Sequence, residues 1–271
     1  MSADVAETIA KIRQQLVAVS NQNKVPHLAC SLSSVEILYT LYFKVMNIRP
    51  DEPDWAPRDR FLLGKGHAAA VLYSVLGYRG YYPPEQTMTL GQNDSAFEEH
   101  PGKHPPAGVE NISGSLGHAL GLATGMAKAA KITASPAHFY ALVGDGELNE
   151  GTNWEAAMFA PAHQLDNLTV IVDFNKLQGT GRSCDIMQLE DMEAKWKAFG
   201  WQTARVNGHD VDALYHVLKS DYIEAGKPRA IIADTVKGGG VSFMEDDNNW
   251  HYRIPTEEEV ESVAKELGLV N

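Results

Sequence analysis

The sequence predicts an α/β fold in which a parallel sheet is sandwiched between layers of helices. Short apolar runs alternate with segments of helical periodicity, and such runs are typical of parallel strands that are buried on both faces. A chain of 271 residues with 44% apolar residues can also bury the core that this fold needs. The predicted strands are residues 61–63, 138–143, 168–173 and 229–234, and helices are expected from about residues 67 and 152.

Helices are also predicted near both ends of the chain. Apolar residues recur at steps of three and four within residues 5–19, which predicts an amphipathic helix. Two segments have the spacing of a capping box, in which a Ser or Thr side chain and a Glu three residues later bond each other's free backbone amides. Helices are expected to begin at these pairs, which are Ser33 with Glu36 and Thr256 with Glu259.

Composition and charge limit the possible partners and compartments. A formal net charge of −12 leaves no basic stripe, so we expect neither a nucleic acid nor a membrane surface as a partner. Cys30 and Cys184 are too few and too far apart for a disulfide framework or a local zinc motif, which favours the reducing cytoplasm. The N-terminus has no apolar run of signal-peptide length, and no segment is expected to approach the length needed to cross a bilayer.

The chain is interpreted as one domain covering residues 1–271. It has no internal repeat and no low-complexity tract. Residues 83–106 are polar and punctuated by Gly and Pro, which indicates a surface or active-site loop rather than a linker between domains.

A polar motif follows the second predicted strand. Asp145 lies there between Gly144 and Gly146, and Asn175 ends the third strand one helix and one strand later. Because parallel strands end at the same edge of a sheet, both side chains should face one crevice. A carboxylate, an amide oxygen and a nearby main-chain carbonyl would suit Mg²⁺ or Ca²⁺, and the glycines and the next helix N-terminus would let a diphosphate approach. Taken alone, the GDG sequence would more simply be a tight turn.

This segment resembles the thiamine diphosphate fingerprint of transketolases. The similarity runs from GDGELNEG to DFNKLQ and continues, in the same order, over nearly the whole chain. The further motifs are His27 followed by Ser31, Leu32 and Ser33, RDRFLLGKGHA from Arg58, HPGKHPPAGVE from His100, SGSLGHALG from Ser113, GRSCDIMQLE from Gly181 and KGGGVSFMEDDNNWH from Lys237.

The resemblance implies the diphosphate-binding (PP-type) fold of the N-terminal transketolase domain, with thiamine diphosphate and a divalent metal as cofactors. The metal, Mg²⁺ or else Ca²⁺ or Mn²⁺, would be bound by Asp145, Asn175 and the carbonyl of Leu177. The backbone of Gly114 and Leu116 would line the aminopyrimidine ring of the cofactor, and further residues would lie near the diphosphate. These further cofactor-binding residues are His67, Gly114, Leu116, Gly146, Glu147, Lys237 and His251.

The resemblance also implies which residues act in catalysis. His67 and His251 would approach the diphosphate, while His27 and His100 would project toward the thiazolium and the sugar hydroxyls and transfer protons. Glu150 and Glu155 resemble acidic residues at the family's subunit interface, where buried carboxylates can share protons and link two active sites. Departures from the usual motifs occur at Pro26, Cys30, Gly102 and Tyr252.

A partner subunit is expected as well. A full transketolase has a second domain that supplies the glutamate activating the cofactor and the cations holding the sugar phosphate, whereas this sequence ends at Asn271 without a second α/β unit. We expect an α2β2 heterotetramer with a C-terminal transketolase subunit carrying the pyrimidine-binding and C-terminal domains. It would transfer a two-carbon ketol unit from a ketose to an aldose, phosphorylated or not.

Alternatives remain open at this point. The chain could serve a pathway-specific transketolase for an unusual sugar, or it could be a non-catalytic or regulatory paralogue. Another thiamine enzyme, such as a synthase or a ketoacid dehydrogenase component, is disfavoured by the order of the motifs around His27, His67 and His100.

Overall fold

The computed structural model describes residues 2–219 and 223–270, and its centre is a five-stranded sheet. The sheet consists of β1 (Arg60–Leu63), β2 (Phe139–Gly144), β3 (Leu168–Phe174), β6 (Gln202–Asn207) and β7 (Arg229–Asp234). The strand order is β1-β2-β3-β7-β6, and every pairing is parallel. A separate two-stranded antiparallel pair consists of β4 (Leu177–Gln178) and β5 (Gly181–Arg182).

The four predicted strands are confirmed, whereas β6 was not predicted. Strands β2, β3 and β7 are buried along nearly their whole length, which produces the apolar runs visible in the sequence. Strand β6 lies at the edge of the sheet, and only Val206 among its residues is buried. An edge strand that is half open to solvent needs no continuous apolar run, so its sequence lacks that signal.

Helices cover both faces of the sheet and bury two separate core clusters. Along β1, Leu62 contributes to one cluster while Phe61 and Leu63 contribute to the other, as expected for side chains that alternate across a strand. The helices are α1 (Ala3–Asn23), α2 (Leu28–Leu32), α3 (Val35–Thr40), α4 (Ala69–Arg79), α5 (His118–Ile132), α6 (Gly151–Ala162), α7 (Ser183–Ile186), α8 (Met192–Ala198), α9 (Val211–Leu218) and α10 (Glu257–Glu266).

Helix α1 and the capping box of α10 are confirmed, but the capping box at Ser33 is wrong. Helix α3 follows Ser34, which makes no side-chain cap. The Ser33 hydroxyl instead donates to the Asp173 carboxylate at 2.7 Å. Glu36 accepts a hydrogen bond from Arg13 at 2.6 Å. Both side chains therefore form hydrogen bonds with buried groups from distant segments, and not the local capping bonds that their spacing predicted.

The stretch Leu28–Val45 corrects a second expectation. It has 18 residues with a mean hydropathy of 1.2, which is long and apolar enough to span a membrane by length and composition. Within the fold, however, 83% of this stretch is buried. It comprises α2, α3 and a π-helical turn at Leu41–Val45, and most of its residues pack in the core, whereas Lys44 is exposed. The buried core helix of a protein outside the membrane passes the same test of length and composition, so this stretch is weak evidence for a membrane span.

Candidate active site

A cavity of about 320 Å³ opens at the carboxyl ends of the central strands. This edge is where an open parallel sheet presents loops and helix N-termini to a ligand. Most of the predicted site residues line it. They are His27, His67, His100, Gly114, Leu116, Asp145, Gly146, Glu147, Asn175, Leu177 and His251, joined by Cys30, Lys65, Gly144, Gln178 and Gly179.

The loop after β2 presents the Asp145 carboxylate to this cavity. One carboxylate oxygen accepts the Gly146 amide and the other accepts the Ser183 hydroxyl, both at 2.8 Å. Burial raises the pKa of Asp145 to about 6, although the Ser183 hydrogen bond opposes the shift. The Asn175 side-chain oxygen accepts the Leu177 amide at 3.1 Å, which folds this loop back toward Asp145.

These groups fit a hard divalent cation. The donors are a carboxylate, an amide oxygen and a main-chain carbonyl, which together match the preference of Mg²⁺ and Ca²⁺ for oxygen ligands. A cation beside Asp145 would also offset the burial that now opposes its ionisation. Nδ1 of His27, which also lines the cavity, is buried without a hydrogen-bond partner among the described residues. A polar ligand fits this environment.

Four histidines from four separate segments meet in the cavity. The ring centroid of His27 lies 5.3 Å from that of His67, 6.1 Å from that of His100 and 4.9 Å from that of His251. His27 has a left-handed φ of 66° immediately before α2. Its backbone amide donates to the His251 carbonyl at 3.0 Å, so two segments far apart in sequence are joined at the cavity.

The surroundings of His27, His67 and His251 favour neutral imidazoles. Burial, followed by the charge of Lys65, lowers the pKa of His67 well below its ordinary value. Burial, followed by nearby Lys237, lowers the pKa of His251 to about 4. The pKa of His27 is lowered mainly by burial as well. A neutral imidazole can both donate and accept a proton, which suits groups that act on substrate hydroxyls.

A buried ion pair lies behind the histidines. The Lys65 ammonium bonds the Asp173 carboxylate, and it also donates to the Cys30 carbonyl at 2.9 Å and the Ser34 hydroxyl at 3.0 Å. Burial opposes ionisation of Asp173, but the charge and hydrogen bonds of its partners hold its pKa below the ordinary value. Asp173 was predicted only as a strand residue. A carboxylate at the end of an otherwise apolar strand was the signal for its role.

Glu147 connects three segments around the cavity. It is 2% exposed, and its two carboxylate oxygens accept the Gly117 amide at 3.0 Å and the Gly144 amide at 3.1 Å. A Cβ atom at Gly64 would lie 2.5 Å from this carboxylate, so only glycine fits there. Burial raises the pKa of Glu147 to about 7. Glu147 therefore holds the turn before α5 against the ends of β1 and β2.

Three of the predicted residues do not line the cavity. Lys237 is buried behind His251, with 2.9 Å between its ammonium nitrogen and Nδ1 of that ring. Glu150, the residue before α6, and Glu155, within α6, are both exposed. The structure thus separates the two glutamates from the four histidines with which they were grouped as catalytic.

A second concave surface lies between α5 and α6, outside the cavity. This groove has a volume of about 490 Å³, and we call it the α5–α6 groove. It contains apolar side chains open to solvent, including Leu122 at 49% and Phe159 at 42% exposure. Its defining residues are Gly121, Leu122, Gly125, Thr152, Glu155 and Phe159.

The fold and the cavity define an α/β domain of the class that binds thiamine diphosphate at the carboxyl edge of a parallel sheet. Residues 5–271 match the family described as transketolase, thiamine diphosphate binding domain. The chain belongs to this transketolase family, and the family resemblance found in the sequence is confirmed.

The chain matches some relatives over nearly their whole length and others over less than half of it. It is 41% identical to one subunit of the apulose-4-phosphate transketolase of Actinobacillus succinogenes, over 98% of this chain and 97% of the relative. It is 39% identical to the 6-deoxy-6-sulfo-D-fructose transketolase subunit SqwG of a Clostridium species, over 90% of this chain and 88% of the relative. Human transketolase is 33% identical over 96% of this chain but only 41% of its own length.

The solved structures agree with the fold. Transketolase from Leishmania mexicana superposes with a TM-score of 0.92 at 26% identity, over 99% of this chain and 42% of that enzyme. The predicted parallel sheet covered by helices on both faces is therefore confirmed. The chain spans about two fifths of the length of these solved transketolases.

Proposed function

We propose that this chain is the N-terminal, cofactor-binding subunit of a split transketolase. The observation that carries the proposal is the meeting of Asp145, Asn175 and Leu177 with four histidines in one cavity at the sheet edge. The length of the chain supports it, because two relatives named as transketolase subunits match it over nearly their whole length. With a C-terminal partner it would transfer a two-carbon ketol unit from a ketose to an aldose.

The metal and the diphosphate are assigned to different residues of the cavity lining. Asp145, Asn175 and the carbonyl of Leu177 would bind Mg²⁺, whose charge would offset that of the diphosphate. His67 and His251 would donate hydrogen bonds to the diphosphate. Two buried lysines, Lys65 and Lys237, are far apart in the sequence but lie close enough to these histidines to lower their pKa values. They also add positive charge near an anion.

The remaining histidines are assigned to the substrate. Thiamine diphosphate, when bound, supplies the carbon that accepts and releases the two-carbon unit. His27 and His100 would bond the sugar hydroxyls and transfer protons to and from them. Backbone at Gly114 and Leu116, held in place by Glu147, would line the aminopyrimidine.

The partner would bind along the α5–α6 groove. Exposed apolar side chains in a continuous groove indicate a protein interface, and the groove begins where α5 leaves the cavity. Glu155 lies in this groove and Glu150 lies beside Gly117 at its end. An α2β2 heterotetramer would bury both carboxylates and bring the missing glutamate to the cofactor.

The substrate is proposed to be an unusual sugar. Two relatives are named for apulose-4-phosphate and for 6-deoxy-6-sulfo-D-fructose, which supports a pathway-specific enzyme. Tyr252 is 65% exposed and its ring lies 5.3 Å from that of His27. A large side chain this close to His27 would affect which aldose fits.

Reconstitution tests the proposal. The purified chain is mixed with the product of a neighbouring reading frame that resembles a C-terminal transketolase subunit, together with Mg²⁺ and thiamine diphosphate. Ketol transfer between sugar phosphates should require both chains, and each chain alone should be inactive. Decarboxylation of a 2-oxoacid without ketol transfer would instead place the chain in another class of thiamine enzyme, and activity of neither kind would favour a non-catalytic paralogue.

A further inference from the structure

Lys237 is buried and has two partners in the structure. It is 1% exposed, and its ammonium donates to the Asn248 side-chain oxygen at 2.8 Å. It also lies 2.9 Å from Nδ1 of His251. The amide group of Asn248 is oriented by its own donation to the Gly179 carbonyl at 3.3 Å. Asn248 therefore presents its oxygen, and not its nitrogen, to Lys237.

The bond between Lys237 and His251 determines where the imidazole carries its proton. Burial and the charge of Lys237 lower the pKa of His251 to about 4, so the ring is neutral and has one N–H near neutral pH. An ammonium group can only donate hydrogen bonds. Nδ1 must therefore accept, which leaves the single ring proton on Nε2.

The opposite nitrogen of His251 is open to the cavity. Over residues 2–219 and 223–270, no protein group bonds Nε2, and His251 is part of the cavity lining. A Cβ at position 179 would lie 3.4 Å from Nε2, so the glycine there leaves this side of the ring uncovered. A proton on Nε2 is thus available to a ligand.

We propose that Lys237 is a positioning residue that fixes His251 as the Nε2–H tautomer, so that this imidazole offers a permanent hydrogen-bond donor to an anionic oxygen in the cavity. The tautomer follows from the bond between the Lys237 ammonium and Nδ1 together with the neutral state of the ring. The identity of the oxygen, one of the cofactor diphosphate, rests on the proposed function.

Two neighbouring groups could compete for this role, and the geometry disfavours both. The Cys30 thiol lies 3.4 Å from the same Nδ1, but the charged donor is closer and forms the stronger bond. Lys65 also lies at the cavity, yet its three ammonium protons are already shared among Asp173, the Cys30 carbonyl and Ser34. Lys237 alone of these three groups can hold the His251 ring.

Ring nitrogen spectroscopy tests the tautomer directly. The full chain is labelled with ¹⁵N-histidine, and His251 is assigned from the signal lost in His251→Gln. Long-range ¹H–¹⁵N correlation should show Nδ1 unprotonated and Nε2 protonated in the unmodified chain. In Lys237→Met both nitrogens should shift toward the values of mixed tautomers, while Cys30→Ala, the matched control, should leave them unchanged.

Two results would overturn the proposal. One is a protonated Nδ1 in the unmodified chain, a measurement that needs no variant at position 237. The other is an unchanged His251 spectrum in Lys237→Met, provided that the signals of the other histidines show the variant to be folded. Should Lys237→Met not fold, Asn248→Ala replaces it, because loss of the oriented amide frees the lysine and should also mix the tautomers.

Amide substitutions test the direction of the donor. Glutamine places its NH₂ group near the position of Nε2, whereas asparagine reaches only that of Nδ1. Calorimetry with thiamine diphosphate and Mg²⁺ should show affinity within about threefold for His251→Gln and at least about tenfold weaker for His251→Asn, as expected for a bond to a charged group. Equal losses in both would overturn the donor role. Failure of the unmodified chain to bind the cofactor would instead contradict the proposed function and leave the tautomer to be decided by the spectra.

Discussion

The cavity and the α5–α6 groove differ in whether this chain alone supplies contacts for their side chains. In the cavity, buried polar groups such as Glu147, Asp173 and Lys65 find bonding partners on segments that are far apart in sequence. In the groove, Leu122 and Phe159 are exposed apolar side chains with solvent above them. The chain therefore satisfies the polar groups of the cavity by itself and leaves an apolar surface open in the groove, where the proposed partner would bind.

The contrast has a physical origin in where each region lies. A parallel sheet brings the ends of its strands together within one chain, so polar groups placed there find partners during folding. The outer faces of α5 and α6 have no further layer over them among the described residues. Glycines at positions 121 and 125, beside which a Cβ would meet nothing within 4 Å, leave room for another backbone to approach.

The largest effect is expected inside the cavity, from Lys65→Met. Removal of one partner from a buried ion pair leaves the Asp173 carboxylate uncompensated, which typically costs about 3–5 kcal/mol. Urea-induced unfolding of the full chain should show this loss. The control Lys103→Met, at an exposed lysine, should change the free energy of unfolding by less than about 0.5 kcal/mol. Equal stability of the two variants would mean that the network does not support the cavity.

The next largest effect concerns the cofactor. Asp145→Asn removes the only negative charge from the proposed metal ligands, so the affinity for thiamine diphosphate and Mg²⁺ should fall by at least about 100-fold. Loss of a residue that only hydrogen-bonds a metal ligand typically costs about 10- to 100-fold, and loss of the ligand's charge should cost more. Calorimetry measures this, with exposed Asp185→Asn as the control. Unchanged affinity of Asp145→Asn would remove the metal assignment.

A smaller effect is expected in the groove, and it should appear only with the partner. Leu122→Asp places a charge in the proposed interface and should weaken association at least about 30-fold, corresponding to the 2 kcal/mol of an interface hot spot. Sedimentation of the mixed subunits measures it. The fold of the isolated chain should not change. Ile132→Asp, at an exposed apolar residue farther along α5, serves as the control, and equal weakening by both would place the interface elsewhere.

The smallest effect is expected from Glu155→Gln, which should act in the assembled enzyme but not in the isolated chain. Glu155→Gln should alter the free energy of unfolding of the isolated chain by less than about 0.5 kcal/mol, because the side chain is exposed. In the assembled enzyme it should reduce turnover by about fivefold, the cost of roughly one lost hydrogen bond of 1 kcal/mol. A variant that lowers stability in the isolated chain, or leaves turnover unchanged, would argue against an interface role for this carboxylate.

Much of the site could be predicted because its signals are local and ordered. Asp145 and Asn175 stand at the ends of buried strands, and parallel pairing then brings them to one edge of the sheet. The histidines were predicted from motifs rather than from position. The resemblance assigned Glu150 and Glu155 to a subunit interface, and both side chains are exposed in this chain, outside the cavity lined by those histidines.

The parallel strands, the first helix and the capping box at Thr256 follow from the sequence alone, since each depends on residues within a few positions of one another. Tertiary packing was needed to assign Ser33 to Asp173 rather than to Glu36, and Lys237 to His251. A hydrogen bond between buried groups depends on which segments fold into contact. Burial makes such bonds obligatory, because an unpaired polar group in the core costs more than a local cap contributes.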